Sequence, residues 1–162
     1  KGLEGKGDLT KASLAGDKQF LVSKDKFETV SVADNGLSQN QLAMLGADKM
    51  LEKGFRGEGM WIGVLDSGFL NADKLPFFKH LYDEKRILGT YDFVFNQTSV
   101  YEDHNHGTNV LSCMAAFTDG QIVGTAPKAS YLLLKTEDVR SETKLEEANW
   151  LFGAEYADSL GV

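Results

Sequence analysis

Two stretches of the sequence carry side chains suited to proton transfer. In His104-Asn105-His106-Gly107-Thr108-Asn109-Val110, two of the three histidines, the other being His80, precede a small-residue turn into an apolar segment. A histidine that opens a helix ahead of Gly and Thr is held rigidly with one imidazole edge free, which suits a general base. The same residues fit a helix-start histidine that only hydrogen-bonds the backbone. They also fit a metal site in which Asp103 adds an oxygen to His104 and His106, although His-x-His without a third well-placed ligand is a weak signature. Asp66 follows the apolar run Met60-Trp61-Ile62-Gly63-Val64-Leu65. A carboxylate there borders a low-dielectric core and needs donors or a partner; a tight Asp66-Ser67-Gly68 turn, with Asp accepting local amides, would supply them without any chemistry. Strand alternation turns Ser67 away from Asp66, and a six-residue offset puts Ser112 on a different helix face from His106, so both serines read as structural. Cys113, the single cysteine, has no basic neighbour in sequence and reads as a small buried thiol.

Holding these groups in place requires an ordered fold, and 162 residues with 42% hydrophobic and 25% charged side chains suffice for one globular domain. The net charge of −7, from 17 basic and 24 acidic residues, argues against a protein that tracks nucleic-acid phosphates. No apolar stretch approaches the roughly 20 residues of a membrane-spanning helix. One cysteine allows no intrachain disulfide. Residues 1–37 show no sustained hydrophobic period and read as an extended arm, with the domain over 38–162. Ser38 is placed to cap a helix whose apolar side is Leu42, Leu45, Met50 and Leu51, ending at Gly54. Met60–Leu65 reads as a strand buried on both faces, Arg86–Phe95 as a second and Ser130–Thr136 as a third. Helices are predicted from about Gly107 to Phe117 and from about Thr143 to Leu160. The second opens on a Thr143-x-x-Glu146 capping box, presents Leu145, Ala148, Phe152, Tyr156 and Leu160, and stops at Gly161. Strand, strand, helix, strand, helix is an α/β order with a mainly parallel sheet, whose ligands sit beyond the carboxyl ends of the strands, where Asp66 falls. A nucleotide-binding α/β domain fails on order, because Gly57-x-Gly59 precedes its strand whereas a phosphate loop follows one.

GEGMWIGVLDSGF, HNHGTNVLS and GTAPKASYLLLKTED, in that order, resemble the Asp block, the His block and the following Gly-x-Ala-Pro-x-Ala strand of the subtilisin-like serine peptidases. The resemblance runs from about residue 38 to the C-terminus and is nearest to the secreted subtilases of Bacteroidetes-type bacteria, which carry similar LDxGF, HGTxVLS and EYADSLG stretches. It implies the three-layer α/β subtilisin-like fold, in its N-terminal portion only. It further implies a secreted or cell-surface serine endopeptidase acting on polypeptides by a Ser-His-Asp triad. Carried over residue by residue, Asp66 is the acid and His106, which precedes Gly-Thr, is the base. Asn109 stands where the family commonly has a second histidine, at a position outside the triad.

The larger departure is the absence of a Gly-Thr-Ser-Met-Ala block. In the family's Asp, His, Ser order the serine falls on the order of 160 residues after the histidine, and 56 residues follow His106 here (162 minus 106). The serine and the oxyanion donor are therefore expected from a further segment or a second chain, and this chain alone is expected to be inactive. That segment is also expected to cover the open sheet edge. The alternative is a catalytically silent, subtilase-derived domain that keeps Asp66 and His106 by descent and holds peptides. Gly124 and Ala126 resemble the segment leading into the substrate-edge strand and are expected to let a peptide backbone approach. Glu137, Asp138, Glu142, Glu146 and Glu147 read as a solvated helix start, or as acidic groups facing the groove. Calcium is common in the family, but neither Asn71 with Asp73 nor Asp119 with Gly120 forms a dense ligand series, and no metal ligand is assigned.

Overall fold

The computed structural model describes residues 34–140 and 143–162; the remainder of the expected arm and Glu142 lie outside the described residues. Helices α1 (Gln39–Leu45) and α2 (Ala47–Glu52) lead to strand β1 (Trp61–Asp66). A 3-10 turn at Pro76–Phe78 runs into α3 (Lys79–Asp83), followed by β2 (Ile87–Asp92) and α4 (His106–Ala115). A short hairpin, β3 (Phe117–Thr118) and β4 (Ile122–Val123), precedes β5 (Ser130–Lys135) and α5 (Lys144–Leu160).

β5 is the middle of a parallel three-stranded sheet, with β1 and β2 on either side. Its side chains alternate between two cores, as the two-residue strand period requires. Tyr131 and Leu133 join Val64, Phe78, Leu81 and Leu111 on the α3/α4 side. Leu132 and Leu134 meet Ala157 of α5, with Leu65 and Tyr91, on the other. The result is the three-layer α/β arrangement expected from the sequence. Each of these fully buried leucines stabilises the fold by about 1.5–3 kcal/mol.

The second strand, expected over Arg86–Phe95, ends at Asp92, whose carboxylate accepts from the Val94 and Phe95 amides in a turn; three further departures concern packing. Gly46, left-handed at φ 70°, breaks the first helix into α1 and α2. In consequence only Leu42 and Leu51 are buried, Leu45 and Met50 point outward, and Ser38 makes no side-chain cap but accepts from the Val123 amide at 3.2 Å. β1 is an edge of the described sheet, so Trp61 is exposed and burial is confined to the carboxyl half of the strand, at Val64 and Asp66.

The third departure is at α5, which packs by its smallest side chains. Asn149, Gly153 and Ala157 are buried, whereas Leu145, Phe152, Tyr156 and Leu160 are exposed. A Cβ on Gly153 would lie 2.8 Å from Thr136 Cγ2 and 3.2 Å from Leu65 Cδ2, so helix and sheet approach too closely for a larger residue. Thr143 makes no side-chain cap, but Gly161 ends the helix in the left-handed conformation.

Residues 34–37 are tied to the hairpin. Gly36 bridges Ile122, and the Leu37 amide donates to the Gln121 carbonyl at 2.8 Å.

Candidate active site

The parallel register aligns Asp66, Lys135 and Asp92 across the carboxyl edge of the sheet. α4 begins beside the first of these. Its N-terminus can come that close because residue 107 is glycine: a Cβ there would lie 2.6 Å from the Gly68 carbonyl oxygen, 2.8 Å from Phe69 Cε1 and 3.0 Å from Asp66 Cβ. Thr108 fastens the same turn by donating to the Leu70 carbonyl at 3.0 Å.

His106 Nδ1 then stands 3.0 Å from Asp66 Oδ1 and 2.9 Å from Oδ2. A carboxylate can only accept, so the neutral imidazole carries its proton on Nδ1 and leaves the Nε2 lone pair free. Asp66 is buried, while 61% of the His106 side chain is exposed. The pair thus offers a fixed base to solvent and keeps its orienting carboxylate dry. Asp66 is further satisfied by the Ser67 amide at 2.7 Å, and the local-turn reading and the paired reading hold together.

Ser67 does not turn away from Asp66. The strand ends at Asp66, alternation lapses there, and the buried Ser67 hydroxyl lies 3.1 Å from Asp66 Oδ1 and 3.1 Å from His104 Nδ1. Ser112 donates to the Asn109 carbonyl at 2.6 Å, within α4. Among the described residues no serine hydroxyl is hydrogen-bonded to the His106 ring.

Cys113 is exposed rather than buried, because the buried side of α4 is defined by Gly107, Thr108, Leu111 and Ala115. Gly124 and Ala126 are not brought to the pair. Their amides donate at 2.7 Å to the Ala116 and Met114 carbonyls at the far end of α4, and a Cβ on Gly124 would lie 2.3 Å from the Met114 oxygen. What approaches closely there is the chain's own helix. His80 also lies apart, with Nε2 donating to the Pro127 carbonyl at 3.1 Å.

Sequence reasoning missed Lys135. This nearly fully buried lysine pairs with the buried Asp92 at 3.3 Å and with Asp103, and sits 4.2 Å from the Phe95 ring centroid. A lysine closing the apolar run Tyr131–Leu134, level with two strand-end aspartates, is the signal that would have exposed it. The acidic residues beyond β5 divide. Arg140 hydrogen-bonds Asp138 and holds that half-buried carboxyl down at about 2, while Glu137, Glu146 and Glu147 line an open cleft with Trp150. Among the described residues no three His, Cys, Asp or Glu side chains are grouped to hold a metal ion, and no helix is long and apolar enough to cross a membrane.

The scaffold is thus a helix–sheet–helix α/β fold with a carboxylate–imidazole pair at the carboxyl end of its parallel strands. Comparison with known proteins narrows the class. The family model for the subtilases matches residues 57–155, and the chain belongs to that family. It is 32% identical over 84 residues to thermitase of Thermoactinomyces vulgaris, covering 51% of this chain and 28% of that protein. It is 33% identical over 82 residues to serine protease AprX of Bacillus subtilis, covering 49% and 17%. The match thus spans less than a third of the length of either relative. Its fold is similar to that of the MycP3 protease (TM-score 0.58, 18% identity, 83% of this chain and 37% of that one). The same holds for MycP1 from Mycobacterium smegmatis (TM-score 0.54, 20% identity, 83% and 36%).

Proposed function

We propose that this chain supplies the acid and base of a serine endopeptidase, with Asp66 and His106 as two members of a Ser-His-Asp triad. The reading rests above all on the Asp66–His106 contact, 2.9 and 3.0 Å from Nδ1 to the two carboxylate oxygens. In this mechanism the free Nε2 takes the proton of a serine hydroxyl as that oxygen attacks the peptide carbonyl, and then returns it to the leaving amine. Asp66 keeps the imidazole in the required tautomer and stabilises the imidazolium between the two transfers. The serine and the oxyanion donor come from a further segment or a second polypeptide, and this chain alone does not hydrolyse peptides. The complete protein is a secreted or cell-surface bacterial enzyme of the Bacteroidetes-type subtilase group, acting on polypeptides.

The test is peptide hydrolysis by the assembled protein. His106→Ala is expected to lower turnover by about 10⁴-fold or more, and His104→Ala to leave most of it. The reverse pattern refutes the choice of base. Peptide binding without any hydrolysis in an assembly that carries the serine would favour the silent binding domain instead.

A further inference from the structure

We propose that His104 is a positioning residue for the Asp66–His106 pair, acting through the hydroxyl of Ser67. The inference rests on the reading of that pair given above and adds a regulating group to it. The buried Ser67 Oγ stands between two acceptors at equal distance, Asp66 Oδ1 and His104 Nδ1, each 3.1 Å away. It has one hydrogen and cannot satisfy both. The His106 amide also donates to His104 Nδ1, at 3.4 Å, so the same imidazole nitrogen touches the backbone of the base and the partner of the acid.

With His104 neutral, Nδ1 accepts and competes with Asp66 for the Ser67 hydrogen. When solvent protonates the exposed His104 ring, Nδ1–H becomes a donor to Ser67 Oγ, and the hydroxyl hydrogen is committed to Asp66 Oδ1. Oδ1 then accepts from the Ser67 amide and hydroxyl together with the His106 ring, and each donor lowers its capacity for the next. The carboxylate becomes a poorer partner for the His106 imidazolium, and the His106 amide loses its acceptor on His104. The step takes one proton from solvent onto His104 Nδ1 and turns the Ser67 O–H toward Asp66, with no bond of the protein broken.

Charged groups from several elements surround the relay. Lys135 from β5 is paired to Asp92 and Asp103. Asp138 is paired to Arg140. Lys135, Asp103, Asp138, Arg140 and Glu137 line a cavity of about 290 Å³ that His104 and Ser67 share. A peptide side chain entering that cavity would meet the relay directly.

The experiment is a proton NMR titration of the histidine rings in the full 162-residue chain, with the downfield Nδ1 proton of His106 as a second readout. In the wild-type chain the His106 resonances are expected to show a second inflection that coincides with the titration of His104. His104→Asn abolishes it, Ser67→Ala reduces it by more than half, and Ser67→Thr, which keeps the hydroxyl, restores it. Should Ser67→Ala fail to fold, Ser67→Cys, with its weaker donor, takes its place. No second inflection in the wild type, or one that persists at full size without the hydroxyl, overturns the relay; the latter would mean charge acting through space. Absence of the downfield proton overturns both the pair and the relay, whereas its presence with no response to His104 overturns the relay alone.

Discussion

Replacing Gly107 by alanine tests whether the approach of α4 to β1 creates the pair. Helix propensity alone predicts that this change stabilises the protein, by about 1 kcal/mol at an interior helical position. The surroundings predict the opposite. The new methyl would sit 2.6 Å from the Gly68 carbonyl oxygen and 3.0 Å from Asp66 Cβ, where ordinary contacts require about 3.5–4.0 Å. Neither of these neighbours can rotate aside, since one is backbone and the other is the first carbon of a buried side chain at a strand end. Relief requires α4 to withdraw by about 1 Å, which takes His106 Nδ1 out of hydrogen-bond range of Asp66. Overpacking of this kind costs about 1–3 kcal/mol, and the lost hydrogen bond adds about 1 kcal/mol. Set against the propensity gain, Gly107→Ala should destabilise the chain by about 1–3 kcal/mol. The assay is urea denaturation, in which the midpoint falls at unchanged slope, with loss of the downfield Nδ1 proton by NMR. A stabilised variant, or one within about 0.5 kcal/mol of wild type that keeps that proton, would refute the steric account of how the pair is assembled.

Three further outcomes follow from other parts of the molecule. Asp66→Asn keeps the shape of the acid but presents an amide that can donate to Nδ1; hydrolysis by the assembled protein should fall by about 10⁴-fold with the fold retained, as circular dichroism and activity would show together. Burial and the nearby Arg86 hold His80 below the usual histidine range, despite its bond to the Pro127 carbonyl. Its buried Nδ1 has no acceptor to receive a second proton. The unfolded chain therefore binds more protons as pH falls through about 6.5, so stability drops from there down to the lowered folded-state value. His80→Gln should flatten that part of the urea-midpoint profile, and an unchanged profile would contradict the assignment. Cys113 should react stoichiometrically with maleimide in the native chain, as mass spectrometry would show; protection until unfolding would contradict its outward placement on α4.

β1 and β5 were legible because each is a short apolar run between turn residues, β2 because Ile87, Leu88 and Tyr91 supply apolar and aromatic bulk, and Asp66 and His106 because their motifs stand in recognisable order. What escaped was governed by contacts that no periodicity encodes. The apolar stripe of α5 suggested a packing face, yet the helix docks by Asn149, Gly153 and Ala157, since close approach to Leu65 and Thr136 selects small residues over hydrophobic ones. Gly124 gives room for the end of α4, a contact its loop composition does not reveal. Ser67 escaped because alternation was extended one residue past the strand end, and Lys135 because a lysine after three leucines passes for a surface boundary until Asp92 and Asp103 are brought to it.

The central claim, that His106 oriented by Asp66 activates a serine supplied from outside this chain, is tested most directly by fluorophosphonate labelling. The assembled protein should be labelled at a serine beyond these 162 residues, with labelling lost in His106→Ala and at most slowed in His104→Ala. No labelling of a correctly folded assembly, or labelling at Ser67 or Ser112, would contradict it.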